Sequence, residues 1–383
     1  MGLEQLLPAI SGMTWQHLVM IGVGLTLIYL AIAKNYEPTL LLPMGFGAIL
    51  VNIPLSSAIT QIDPATGKAL EGVLNIFFDA GIATEIFPLL IFVAIGAMID
   101  FSPLFRNPSL LLFGAAAQFG IFLTMVLAAL LGYDIREAAS IGIIGAADGP
   151  TSIVVASRFA PNLLGPISVA AYSYMALVPI IQPPVIRLLT TRKERLIRMT
   201  GNNNKKISKK ALIAFPIVIT IAAGIIAPSS LALIGFLMFG NLIRECGVLN
   251  KLSLSAQNEL SSLVTILLGI TIASTMTAER FIRVDTLLII ALGLFAFVFD
   301  TFGGVIFAKF LNLFRKEGNK INPMVGACGI SAFPMSARVI HQMGQKEDPY
   351  NYLLMPAISA NVGGQIGSVV AGGIILTLVP LLA

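Results

Sequence analysis

Residues 287–299 and 212–226 run on with almost no polar side chain, and runs of this length restrict the fold of the chain more than anything else in it. In hydrocarbon, backbone N–H and C=O groups must find partners within the protein, which a helix provides by itself. A transmembrane β-barrel would instead show alternating segments of about ten residues. Composition agrees with the helical reading: 56% of residues are hydrophobic and 11% charged, and the mean hydropathy is +0.90. An all-α polytopic membrane protein is therefore expected. Nine of the 24 Lys and Arg crowd into residues 187–210 (Arg187, Arg192, Lys193, Arg195, Arg198, Lys205, Lys206, Lys209, Lys210), with Glu194 the one acid among them. The positive-inside rule makes this loop cytoplasmic, and that orientation accounts for its charge with no nucleic acid partner. The two cysteines, Cys246 and Cys328, form no CxxC or Cys/His spacing, and His17 and His341 have no partner at metal-ligand spacing, so no transition-metal site is expected. The N-terminus lacks the charged region and cleavage site of a signal peptide, so the first apolar segment is expected to stay in a multi-pass protein of a bacterial cytoplasmic (inner) membrane.

The chain reads as a duplication. Pro38-Thr39-Leu40-Leu41-Leu42-Pro43-Met44-Gly45-Phe46 returns as Pro228-Ser229-Ser230-Leu231-Ala232-Leu233-Ile234-Gly235-Phe236. GAADGPTSIVVASR (145–158) pairs with GACGISAFPMSAR (326–338) after one gap, and residues 165–182 pair with 348–365. The same order of matches in both halves points to a repeat. Spans are expected at 16–34, 38–53, 86–101, 108–132 and 166–189, with 139–158 broken or re-entrant. The second half repeats them at 211–227, 229–244, 260–277, 286–308 and 352–382, with 325–342 broken. Five crossings per half invert the second copy, which gives an inverted-topology repeat whose two broken segments meet near the midplane. The resulting divisions are a first repeat at 1–190, a basic cytoplasmic loop at 191–210 and a second, inverted repeat at 211–383. Both termini fall outside, as does an acidic loop at 56–85 carrying Asp63, Glu71, Asp79 and Glu85 and a short amphipathic helix. Arg280 and Arg283 also fall outside, against the charge rule.

Asp148 stands between Ala147 and Gly149-Pro150 inside an apolar region, with Thr151 and Ser152 following. Gly and Pro break the helix there and free backbone carbonyls, which together with a carboxylate and hydroxyls are the ingredients of a small-cation site. The other reading is an acid in a water-filled loop that caps a half-helix. Asp148 aligns with Cys328, so only the first copy supplies a carboxylate, while the second offers Ser331 and Ser336. Na⁺ suits oxygen ligands of this kind. Tyr172, Tyr174 and Gln182 interrupt the helix after the first break, and Asn361, Gln365 and Ser368 the one after the second. Asn361 stands where the first half has Val178, beside a Gly-Gly pair expected to loosen the helix. The tyrosines read as proton donors or packing anchors, and Asp300 as a second titratable group or the partner of a neighbouring helix. These residues fit a sodium-coupled ion pump with chemistry or a secondary carrier of an organic anion without it. A purely structural anchor leaves Asp148, Asn361 and two helix breaks without a purpose.

The stretches GAADGPTSIVVASRFAPNLLGPISVAAYSYMALVPIIQPP and ISAFPMSARVIHQMGQKEDPYNYLLMPAISANVGGQIGSVVAGG closely resemble the β subunit of the sodium-pumping biotin-dependent decarboxylases, over nearly the whole chain. The resemblance implies decarboxylation of carboxybiotin on a carrier subunit, coupled to Na⁺ export with consumption of a proton. It implies Na⁺ and partner-borne biotin as cofactors. It further implies as partners the biotin carrier and carboxyltransferase subunits, a small single-span membrane subunit, and further copies of this chain in a homo-oligomer. It makes Asp148 the essential carboxylate and Tyr172 or Tyr174 the functional tyrosine, and puts Asn361 and Ser368 in a second motif. The chain departs from oxaloacetate-type relatives at Pro356, Ser359-Ala360 and Asp300, and ALVPIIQPP with TTRKERLIRM is more similar to the acyl-CoA members.

Overall fold

The computed structural model describes residues 12–62, 66–199, 207–226, 228–316 and 318–382; Asp63, Lys205, Lys206 and residue 227 of the expected span 211–227 lie outside the described residues. Among the described residues the only strands form a hairpin in the acidic loop, and the rest of the chain is helices and their connections. There Gln61–Ile62 pairs antiparallel with Ala69–Leu70, and the short helix Val73–Phe77 follows. The helices that matter here are α1 (Trp15–Lys34), α2 (Pro38–Val51), α3 (Ile86–Met98), α4 (Pro108–Leu130), α5 (Ile135–Gly142), α6 (Gly149–Phe159), α7 (Leu164–Leu189), α8 (Lys209–Ile226), α9 (Leu231–Glu245), α10 (Asn250–Thr275), α11 (Val284–Leu313), α12 (Met335–Glu347) and α13 (Leu354–Leu382).

Among the described residues, five helices are long and apolar enough to cross a membrane: α1, α4, α10, α11 and α13. The bent pairs Val73–Ala83 with Ile86–Met98 (58°) and Pro161–Met175 with Leu177–Leu189 (67°) bring the number to seven when each counts as one span. Ten crossings were expected; α2, α8 and α9 are the three outside this number, and for α2 and α9 helix length explains the difference. The 14 residues of α2 and 15 of α9 rise only about 21–22 Å, against a hydrocarbon thickness of about 30 Å. Asn52 stops α2: its side-chain amide donates to the carbonyls of Ala48 (2.7 Å) and Met276 (2.8 Å), and its Oδ1 accepts from the Ala278 amide (2.7 Å). The bend in α7 follows from Pro179, which has no N–H to return to the carbonyl of Met175.

With its buried face, α11 touches both broken segments. Asp300 Oδ1 accepts from the Ile121 amide (3.0 Å), where α4 is interrupted at Gln118. A Cβ placed on Gly145 would lie 2.7 Å from Asp300 Oδ2. One turn further, Gly304 and Gly326 meet backbone to backbone, so a side chain on either would overlap the other's carbonyl. Asp300 thus pairs with the interrupted backbone of a neighbouring helix, one of the two roles its sequence position allowed.

The start of the basic loop is docked against the body of the protein. Thr191 and Glu194 form a capping box at Arg192–Arg195. Arg195 pairs with Glu347 (2.7 Å), Arg198 with Asp348 (2.6 Å) and Lys309 with Glu194 (3.2 Å). The Asn322 side-chain amide donates to the carbonyls of Arg195 (2.8 Å) and Ile197 (2.9 Å). The Arg198 guanidinium holds the Asp348 carboxyl below its usual range. Burial pushes Glu194 up, but hydrogen bonds from Thr191 and the Lys309 ammonium outweigh it and leave that carboxyl lowered. Arg280 and Arg283 line a surface hollow of about 430 Å³ with Glu137 and Asp285, and Arg283 pairs with Asp285 at 3.8 Å.

Candidate functional site

The first break is built by local conformation. Asp134 caps α5 by accepting from the Arg136 amide (3.0 Å), and α5 tightens into a 3₁₀ turn at Ile143–Ala146. Ala147 then takes a left-handed conformation (φ 51°, ψ 42°) and Asp148 an extended one (φ −124°, ψ 94°). Pro150, whose missing N–H costs nothing in a first turn, starts α6. A β-carbon in the left-handed region costs about 1–2 kcal/mol, and strain of this kind persists where surrounding structure enforces it. The second break begins with Asn322 accepting from the Met324 amide (3.1 Å), runs as a 3₁₀ turn over Pro323–Gly329, and extends from Ile330 before α12. The two meet directly where the Ser331 amide donates to the Ala146 carbonyl (2.9 Å).

Asp148, 3% exposed, lies at that junction. Its Oδ2 accepts from the Ser368 hydroxyl of α13 (2.7 Å), the Thr151 hydroxyl of α6 (2.8 Å) and the Ser331 hydroxyl of the second break (3.3 Å). The Thr151 amide adds a longer bond to Oδ1 (3.3 Å). A hydroxyl is donor and acceptor at once. The same ring can therefore hold a bare carboxylate with its hydrogens or offer a cation its oxygens.

The other expected residues divide. Ser152 donates to the backbone carbonyl of Asp148 (2.8 Å) instead of its carboxylate. The backbone around Asn361 is regular helix, since α13 runs unbroken through Gly363 and Gly364. The Asn361 amide bridges the second break, donating to the carbonyls of Ile330 (2.8 Å) and Cys328 (3.3 Å), while its Oδ1 has no partner. Tyr172 packs its ring on Gly149, and its buried hydroxyl has no partner. Tyr174 points elsewhere: its hydroxyl donates to the Ile290 carbonyl and its ring stacks on Phe297 at 6.4 Å. The structure brings Asp148, Thr151, Ser331, Ser368 and Tyr172 together and leaves Tyr174 outside.

Two glutamines hold the second break from either side. Gln365 donates to the Ser331 carbonyl, and Gln182 donates to the Ala327 carbonyl (2.9 Å) while accepting from the Ser336 hydroxyl (2.9 Å). They occupy matching positions in the two halves, a signal already present in the sequence. A cavity of about 200 Å³ opens beside Asp148, lined also by Tyr172, Ser331, Gln365, Thr265 and Glu37. Glu37 was not anticipated, because the sequence Lys34-Asn35-Tyr36-Glu37 reads as an ordinary polar turn.

Residues 16–379 match the model of the Na⁺-transporting oxaloacetate decarboxylase beta subunit. The chain is 48% identical to methylmalonyl-CoA decarboxylase subunit beta of Propionigenium modestum, with 96% of each chain covered. It is 50% identical to glutaconyl-CoA decarboxylase subunit beta of Acidaminococcus fermentans (96% of this chain, 94% of the relative). It is 43% identical to oxaloacetate decarboxylase beta chain 2 of Salmonella typhi (98% and 99%). These relatives carry a chemical activity that a secondary carrier lacks. The chain, a multi-pass inner-membrane protein, belongs to the family of β subunits of the Na⁺-transporting decarboxylases.

Proposed function

We propose that the chain releases CO₂ from a carboxyl group held on the biotin of a partner subunit and couples that release to Na⁺ export, with Asp148 as the carboxylate that exchanges Na⁺ for a proton. The observation that carries this reading is the convergence of hydroxyls from α6, the second break and α13 on one oxygen of Asp148. The donors are all oxygens, and one carboxylate balances one monovalent cation or one proton. In the bond change, the N–CO₂ bond breaks, its electron pair stays on the biotin nitrogen, and that nitrogen takes up a proton. Within this chain, the basic cytoplasmic face attracts the anionic carboxyl group, and the apolar walls of the cavity exclude water. Tyr172, its hydroxyl unpartnered beside Asp148, is the candidate for holding the proton in transit.

Two further parts of the reading rest on pattern. The division into repeats at 1–190 and 211–383, joined by 191–210, is supported by mirrored packing. Helix α3 packs on α9 as α10 packs on α2, and Asn241 donates to the Ile99 carbonyl (2.9 Å) at the end of α3 as Asn52 does to Met276 at the end of α10. Such a repeat lets the two breaks move as one body between the two sides. The higher identity to methylmalonyl-CoA and glutaconyl-CoA subunits favours an acyl-CoA as the source of the carboxyl group. The partners then include carboxyltransferase and biotin-carrier subunits, a small single-span subunit and further copies of this chain.

The site is tested by carbodiimide modification of Asp148 in the purified chain. Na⁺ should protect Asp148 and K⁺ should not; equal modification with and without Na⁺ overturns the assignment of Asp148 as the ion ligand.

A further inference from the structure

Glu37 is the second carboxylate of the cavity that holds Asp148, and its setting is unusual for a turn residue. Its backbone is left-handed (φ 37°, ψ 61°), a conformation that Gly or Asn adopts at less cost. Its carbonyl accepts from the amides of Leu40 (3.0 Å) and Leu41 (2.9 Å) and so opens α2. The side chain is half-buried, and burial pushes its carboxyl above the usual range. Among the described residues no Lys or Arg lies within ion-pair distance of it, and no side chain or amide donates to its carboxylate. A partly desolvated, unpaired carboxylate is costly. Nothing in the packing of α1 on α2 requires one, since the capping of α2 uses only the Glu37 backbone.

The surroundings give the carboxylate a use. Tyr172 lies within electrostatic reach of both Glu37 and Asp148. Ser261 and Thr265, one turn apart on α10, add hydroxyl oxygens to the wall, and Gln365 adds an amide oxygen with no partner. The cavity also reaches Met98, whose carbonyl accepts from Arg244 (2.6 Å), at the end of the molecule that carries Arg106, Arg244 and Lys251. By the charge rule that end is cytoplasmic.

We propose that Glu37 is a cation-capturing residue: it takes Na⁺ at the cytoplasmic end of the cavity and passes it along Ser261, Thr265 and Tyr172 to Asp148. The inference rests on the Na⁺-pumping reading above and adds to it the route by which the ion arrives. Two carboxylates around 200 Å³ repel each other when both are ionised, and a cation between them removes that repulsion.

The test uses the complete decarboxylase complex in liposomes, with Na⁺-dependent CO₂ release and radiolabelled Na⁺ uptake measured over a range of Na⁺ concentrations. E37Q should raise half-saturating Na⁺ about tenfold, equivalent to about 1.4 kcal/mol, while the rate at saturating Na⁺ stays within about twofold of wild type. E37G separates this from a structural role, because it relieves the left-handed backbone while removing the carboxylate. It should raise the melting temperature and yet raise half-saturating Na⁺ as E37Q does. If either assembled variant keeps the wild-type Na⁺ dependence, the Glu37 inference is overturned and the pump reading stands. If wild type itself shows no Na⁺ stimulation, the pump reading fails first.

Discussion

At the scale of single residues, the site is a carboxylate oxygen shared by three hydroxyls that come from parts of the chain up to 220 residues apart. Ser368 makes the shortest of these bonds, 2.7 Å, so S368A should weaken Na⁺ activation by about 1–2 kcal/mol, or roughly five- to thirtyfold. S331A, at 3.3 Å, should cost less, and a titration of CO₂ release against Na⁺ ranks the two. Ala147 tests the backbone: A147G relieves its left-handed conformation and should stabilise the chain by about 1 kcal/mol, read as a higher melting temperature. Most of these atoms were legible in the sequence. Asp148 with Thr151 announced itself as polarity beside Gly-Pro in an apolar run, and Ser331 is the aligned counterpart of Thr151. Side-chain direction was not legible. Whether Tyr172 or Tyr174 faces the site depends on how α7 rotates against α11, and nothing in YSY encodes that. Glu37 was hidden because a glutamate three residues after a lysine in a short turn looks solvated.

At the scale of elements, α11 ties the two breaks together, Asp300 lying against Gly145 and Gly304 against Gly326. Both backbones at 304 and 326 would have to move to admit a side chain. G304L should therefore destabilise the protein by more than about 3 kcal/mol and abolish activity, whereas the same change at Gly22, where a side chain meets nothing within 4 Å, should be tolerated. Melting curves of the two variants decide this. The docked strap at 191–199 has a pH signature. Asp348 and Glu194 are both held below their usual range, so their contribution is complete above the unfolded values of about 3.9 and 4.3 and is lost as pH falls through the lower folded values. Hydrogen exchange in the strap should be slow near neutral pH and rise only below about pH 4. The breaks were legible because Gly and Pro punctuate them. The bounds of α2 and α9 were legible to within two residues, 38–53 and 229–244 being expected against Pro38–Val51 and Leu231–Glu245; the ties that the side chains of Asn52 and Asn241 make to neighbouring helices were not, because their partners are backbone carbonyls far away in the chain. The docking of the strap was invisible as well, because its partners Glu347 and Asp348 lie some 150 residues away.

At the scale of the whole molecule, the chain presents two broken segments face to face, a carboxylate where they join, and a basic surface at one end. The proposed duplication rests on three ordered matches in the sequence, and the packing of α2 on α10 and of α9 on α3 is what an inverted copy predicts. Within that proposal the copies differ at aligned positions, Asp148 against Cys328 and Asn361 against Val178. A sequence cannot show how far the two breaks interpenetrate, which here extends to a hydrogen bond between the Ser331 amide and the Ala146 carbonyl. The measurement that tests the central claim most directly is CO₂ release by the complete complex in liposomes, with and without Na⁺, for wild type and Asp148→Asn. Release stimulated by Na⁺ and accompanied by its uptake into liposomes, both lost in Asp148→Asn, is the predicted result; coupled release that survives the substitution contradicts it.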